Sequence, residues 1–173
     1  MFRDAFIWKV AKFNGKIAYV KSPVKSTDIL PNFPHNPNAV FSLFTQNKLD
    51  SLYAWKNSKL IKWRSKAQDV FEFVNEKEMQ SQAPDAMFVL NNGKSNVIVK
   101  VVNDQLTYFE MKNGLLTENK QMANSWTVKF KVTAATSLPG NRVFLVSDYQ
   151  FCIFQWNFQN MQKNYVRNKI LNL

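Results

Sequence analysis

Four short stretches of this chain repeat one pattern, a polar turn followed by alternating apolar residues that end on an aromatic. They are Arg3 to Val10, Asn57 to Arg64, Asp104 to Met111 and Asp148 to Trp156. Their anchors, Trp8, Trp63, Phe109 and Trp156, lie 55, 46 and 47 positions apart. A unit recurring this regularly constrains the fold, because each copy must bury its apolar face against its neighbour. Alternation with a period of two makes each unit a set of strands.

A period of about 40–50 residues matches a blade of four antiparallel strands. The last unit reads as strands over 132–138, 142–147, 151–158 and 164–170, with a turn at Pro139-Gly140-Asn141. Val143 to Val146 is almost continuously apolar, as in a strand buried on both faces. The unit before it reads as strands over 86–90, 97–102, 106–111 and 115–117, with 126–132 as its fourth strand or the start of the next unit. An earlier unit runs through 40–44, 52–55, 60–63 and 70–74, and the chain opens with strands over 6–10 and 17–20. The expectation is an all-β chain of three blades plus two strands, one propeller-like domain or propeller fragment over 1–173. Two segments break the rhythm. Residues 22–38 hold four prolines and read as an extended loop, and 75–84 read as a polar insertion or a turn of helix.

Composition agrees with strands. Fifteen Phe, five Trp and five Tyr suit pleated surfaces. With four glycines in 173 residues, the tight turns must be built from Asn, Asp, Ser and Pro.

Ile7-Trp8, Ile61-Lys62-Trp63 and Phe154-Gln155-Trp156 resemble the hydrophobic-x-Trp ending of the third strand in the WD40 repeat family, and Asp104 and Asp148 match the acidic residue of the turn before it. The usual Gly-His pair is missing, and Phe109-Glu110-Met111 stands where Trp-Asp is expected. The resemblance implies a WD40-like β-propeller acting as a platform for proteins or nucleic acid, without chemistry of its own. Three blades are too few to close a ring, so either another subunit or more of the same chain completes it, or the repeat count is wrong.

The chemistry-bearing residues are few. His35, the single histidine, sits in Pro34-His35-Asn36-Pro37 with no second ligand nearby, and reads as a solvated loop residue. Cys152 lies between Phe151 and Ile153 and reads as a small core hydrophobe. One cysteine excludes an internal disulfide and suits an intracellular setting. Glu72, Glu76 and Glu78 read as a solvated charged stretch. There is no glycine-rich phosphate loop and no nucleophile elbow. No enzyme, cofactor or metal is expected, and no apolar run is long enough to cross a membrane as a helix.

Charge gives the one partner signal. Lys and Arg number 23 against 12 Asp and Glu, a formal net charge of +11. Lys62, Arg64 and Lys66 alternate along one strand, with Lys56 and Lys59 in the turn before it. Lys129 and Lys131 repeat the device, and Lys163, Arg167 and Lys169 mark the last strand. Two readings stand: a groove that tracks a phosphate backbone, or lysines that keep exposed strand edges from pairing. The functional expectation is a scaffold for protein–protein interaction in a large intracellular assembly, nuclear, nucleolar, cytoplasmic or ciliary. Ribosome assembly is one such setting, with RNA or DNA contact open. The alternative is an OB-fold-like barrel on single-stranded nucleic acid, with strands in 142–158 and a terminal helix over 160–173.

Overall fold

In the computed structural model, the described residues are 2–3, 6–7, 10–13, 16–19, 22–46, 48–91, 96–112, 115–119, 131–138, 141–147, 150–157 and 162–170. Short strands come first: β1 (Phe2–Arg3), β2 (Phe6–Ile7), β3 (Val10–Phe13), β4 (Lys16–Tyr19) and β5 (Val24–Lys25). β1, β2 and β5 form one small sheet and β3–β4 a hairpin. A four-residue helix, α1 (Ser26–Ile29), follows.

Three four-stranded antiparallel sheets make up the rest. The first holds β6 (Ala39–Thr45), β7 (Lys48–Lys56), β8 (Lys59–Ala67) and β9 (Val70–Glu78). The second holds β10 (Ala86–Asn91), β11 (Asn96–Val102), β12 (Gln105–Lys112) and β13 (Leu115–Glu118). The third holds β14 (Ala134–Leu138), β15 (Arg142–Val146), β16 (Gln150–Asn157) and β17 (Gln162–Ile170). In each sheet the strands pair in chain order, and Trp63, Phe109 and Trp156 all lie on third strands. The chain is all-β in this sense. No closed propeller is seen among the described residues.

The turns follow from the shortage of glycine. Val102 pairs with Gln105, which leaves a two-residue loop. Asn103 (φ 48°) and Asp104 (φ 63°) both take the left-handed backbone that such a loop requires of its two central residues. Asn57 (φ 54°) and Asp69 (φ 58°) occupy the turns on either side of β8. Asn and Asp tolerate this region better than other side-chain-bearing residues, which explains how three hairpins form without glycine.

The sheets pack face to face by dividing each strand between two cores. Along β10, Ala86, Phe88 and Leu90 enter one core, while Met87 and Val89 enter the other. The first core joins the second sheet to Val143, Leu145, Cys152 and Phe154 of the third. The other joins it to Phe41, Tyr53, Trp55 and Leu60 of the first. β10 and β11, and β7 over 51–55, are therefore buried on both faces. β15, expected in that role, buries Val143 and Leu145 but leaves Phe144 and Val146 half-buried. Polar ties reinforce the packing. Ser137 Oγ accepts from Val89 N–H (2.8 Å) and donates to the Val89 carbonyl, Asn141 Oδ1 accepts from Asn91 N–H (3.2 Å), and Asn96 Nδ2 donates to the Phe44 carbonyl (3.0 Å).

Several expectations need correction. Residues 22–38 are not merely an extended loop. They hold β5 and α1, and Leu30 and Phe33 are buried on the far face of the first sheet against Leu52, Ala54, Ile61 and Trp63. Prolines shape this segment, but two apolar side chains anchor it. Residues 75–84 are not an insertion from their start, because β9 runs on to Glu78. The strand read over 164–170 is β17, so the terminal helix of the barrel alternative is not found there, and three separate meanders stand in place of its single barrel. The possible strand over 126–132 lies outside the described residues up to 130, and 131–133 are not strand.

Trp63 is fully buried, stacks obliquely on Phe33 (5.5 Å between ring centres) and donates its indole N–H to the Pro31 carbonyl (2.7 Å). We expect Trp63→Ala to cost about 3–5 kcal/mol in urea denaturation. The conservative Trp63→Phe should recover part of that loss but not the indole hydrogen bond.

Candidate functional site

The basic residues singled out by sequence fall into different surroundings. Lys56 is half-buried and donates to the Asn36 carbonyl (2.8 Å). Lys59, exposed, pairs with Glu76 (2.7 Å), whose hydrogen bond and charge raise the lysine pKa. Lys62 lies over the Tyr53 ring at 5.6 Å. Arg64 is exposed and stands opposite Glu72 in the β8–β9 register. Lys66 pairs with Glu72 (2.7 Å) and holds its carboxyl below the usual range, first through the hydrogen bond and then through its charge.

Lys62, Arg64 and Lys66 were expected on one face. Lys62 and Arg64 share it, but Lys66 falls at an irregularity, where Ser65 pairs with Phe71 and Ala67 with Val70. Glu72, Glu76 and Glu78 are not a solvated loop. They lie on β9, directly across from this basic strand. Cation and carboxylate therefore alternate across two neighbouring strands, and the local positive field is largely neutralised. Exposed pairs of this kind add little stability, but they fix register and keep the strand surface polar.

The other residues are dispersed. Lys131 is exposed outside any strand, and Lys129 lies outside the described residues. Lys163, Arg167 and Lys169 lie on β17, where the register shifts opposite Ile153/Phe154. Arg167 and Lys169 pair with Ile153 and Phe151, whereas Lys163 pairs with Trp156 on the other side of that shift. The structure therefore assembles Lys56, Lys59, Lys62, Arg64 and Lys66 on the first sheet and leaves the rest elsewhere. His35 is exposed and Cys152 is buried in the core between the second and third sheets. Among the described residues, no group of three His, Cys, Asp or Glu is close enough to hold a metal ion.

Sequence reasoning missed one site. Lys100, the single charged residue within β11, is buried at 4% exposure. Its neighbours Val99 and Val101 face the third sheet, so Lys100 projects toward the first. Its ammonium lies 4.8 Å from the centre of the Trp55 ring and donates to Ser81 Oγ (3.1 Å) and to the Gln82 carbonyl. Residues 79–85, which join the first sheet to the second, are thereby tied to β11. Burial lowers the Lys100 pKa, since water no longer solvates the charge. The legible signal was a lysine in the otherwise apolar run Val97 to Val102. Tyr108, buried at 1% in the other core, has its hydroxyl pushed up to about 12 by the same loss of solvent.

No protein-family model matches this chain, and no curated protein matches it significantly in sequence. Solved structures do resemble it in fold. A 2S albumin seed protein from Dolichos superposes with a TM-score of 0.75 at 8% identity, over 98% of this chain and 87% of that one. The hemopexin fold protein CP4 from cow pea gives 0.76 at 7% identity, over 98% and 86%. A plant albumin from Cicer arietinum, described as showing hemagglutination, gives 0.64 at 10% identity, over 90% and 76%. The fold is thus similar to that of these plant albumins and of this hemopexin fold protein. The WD40 resemblance is overturned by these likenesses. The motif residues that suggested it serve other ends: the Trp63 indole is bound by Pro31, and Asp104 accepts from the Val132 N–H (3.2 Å) ahead of the third sheet. Trp63 lies in the middle of β8, which runs on to Ala67, rather than closing it.

Alkaline titration checks the two buried groups. Lys100, with its folded pKa below its unfolded 10.5, opposes folding most at low pH, and that penalty lifts as pH rises toward 10.5. Tyr108 acts in the opposite sense, because stability is lost as pH rises from about 10 to about 12. Relative to wild type, Lys100→Met should lose ground as pH rises toward 10.5, and Tyr108→Phe should gain ground between about pH 10 and about 12, in urea denaturation series. Flat differences across those windows would contradict the assignment.

Proposed function

We propose that this chain is a non-catalytic binding module, in which the three sheets act as successive blades of a propeller-like stack and present their outer strands to a partner protein in a multi-subunit intracellular assembly. The blade reading is supported by the first strands: β10 lies beside both β6 and β14. The likeness to a hemopexin fold protein over nearly the whole chain supports it too.

The observation that carries the binding reading is the rim of the first sheet. β9 is an outer strand, and its opening run Val70-Phe71-Glu72-Phe73-Val74 is apolar at four of five positions. Val70 is 53% exposed, and Phe71, Phe73 and Val74 are half-buried. An outer strand of this composition invites added pairing unless a partner covers it. A protein partner is favoured over nucleic acid at this rim because the lysines beside it already face carboxylates.

Cross-linking mass spectrometry on the complex purified from its native source tests this reading. Cross-links from Lys59, Lys66 and Lys77 to one partner protein are expected. A chain that purifies alone, with oligonucleotide affinity falling steeply with salt and dependent on Lys62 and Arg64, would reject it in favour of nucleic-acid binding.

A further inference from the structure

The first and third sheets end on outer strands that match each other. Among the described residues, β9 pairs only with β8 and β17 only with β16. Both strands are nine residues long. β9 carries Glu72, Glu76 and Glu78 against one lysine, Lys77, whereas β17 carries Lys163, Arg167 and Lys169 and no acid. Each also has an irregularity near its middle, β9 opposite Lys62/Trp63 and β17 opposite Ile153/Phe154.

Antiparallel alignment of the two strands gives a register in which these features coincide. With Glu72 opposite Lys169, Glu78 falls opposite Lys163, because six positions separate each pair. Phe71 then falls opposite Ile170, and the two irregularities meet one position apart. An extra residue reverses which face later residues occupy, and both strands reverse between their charged ends, so the ends stay matched. Opposite charges directly across a strand pair stabilise it, while like charges oppose it. Glu72 binds Lys66 through Oε2, which leaves Oε1 for a second cation.

We propose that β9 of one copy of this chain pairs with β17 of a second copy, continuing the first sheet of one molecule into the third sheet of the next. The contact joins two different edges, so each molecule keeps one donor and one acceptor strand, and association is head-to-tail. It goes beyond the binding reading above by naming the partner of the β9 rim as a second copy of the chain. The net charge of +11 opposes any self-association at long range. At about 0.15 M salt the screening length is about 8 Å, which weakens that repulsion while sparing charges in contact across a strand pair.

Sedimentation velocity of the purified chain at 0.15 M salt, over a concentration series, tests the proposal. Wild type is expected to associate with rising concentration. The double variants Glu72→Lys/Glu78→Lys and Lys163→Glu/Lys169→Glu should each weaken association at least about tenfold, equivalent to about 1.4 kcal/mol. An equimolar mixture of the two doubles should associate again, because the lysines on β9 of the first variant meet the glutamates on β17 of the second, and the native glutamates on β9 of the second meet the native lysines on β17 of the first. The four-fold variant, with both edges reversed, should self-associate again. Far-ultraviolet circular dichroism confirms that each variant is folded. A monomer at every concentration overturns the proposal, as does association indifferent to all four residues. Neither result touches the binding reading, which the native cross-links decide separately.

Discussion

Every four-stranded sheet here has two faces, and the second sheet has to satisfy a core on each. That requirement governs the molecule. A strand sends successive side chains to opposite faces, so β10 and β11 must be apolar at nearly every position rather than at every other one. β10 meets the demand with Ala86 to Leu90, all buried. β11 meets it with valines and Ile98 and makes a single exception, Lys100. A one-residue slip in either strand would exchange the contents of the two cores. The hydrogen bonds between Val89 and Ser137 and from the Asn91 N–H to Asn141 hold the neighbouring sheet in place.

The strands were legible in the sequence to within a few residues across all three large sheets, because alternation and turn residues are local signals. The repeat spacing was legible too, since Trp63, Phe109 and Trp156 fall on equivalent third strands. Contacts between distant parts of the chain were not. The prolines of 22–38 concealed that Leu30 and Phe33 complete a core with Trp63, which lies some 30 positions on. The outer strand over 164–170 was legible as well, and its pairing with β16 excludes the terminal helix of the barrel alternative. The family resemblance failed for a related reason. Trp63 and Phe109 lie inside their third strands and pack into the cores there, so an aromatic in that strand does not single out one family.

The charged residues show the same division between local and distant information. Alternation placed Lys62 and Arg64 on a common face, yet the carboxylate across from Arg64, and those that pair with Lys59 and Lys66, come from the next strand. A cluster that reads as a phosphate track when one strand is considered becomes a ladder of mixed sign when two are. Lys100 is the converse case. Its ammonium has no carboxylate among the contacts seen and instead rests on an indole ring, a hydroxyl and a carbonyl, all on segments before it in the chain. Such an arrangement substitutes fixed dipoles and a π face for water.

The buried anchor formed by Leu30, Phe33 and Trp63 also bears on how the protein is made. Synthesis runs from the N-terminus, so both side chains leave the ribosome well before the tryptophan that covers them. Until β7 and β8 have emerged and folded back, the proline-rich segment has no surface to settle on. Its prolines keep it extended and its neighbouring lysines keep it hydrated in the interval. The segment that precedes the first large sheet is thus obliged to wait for it.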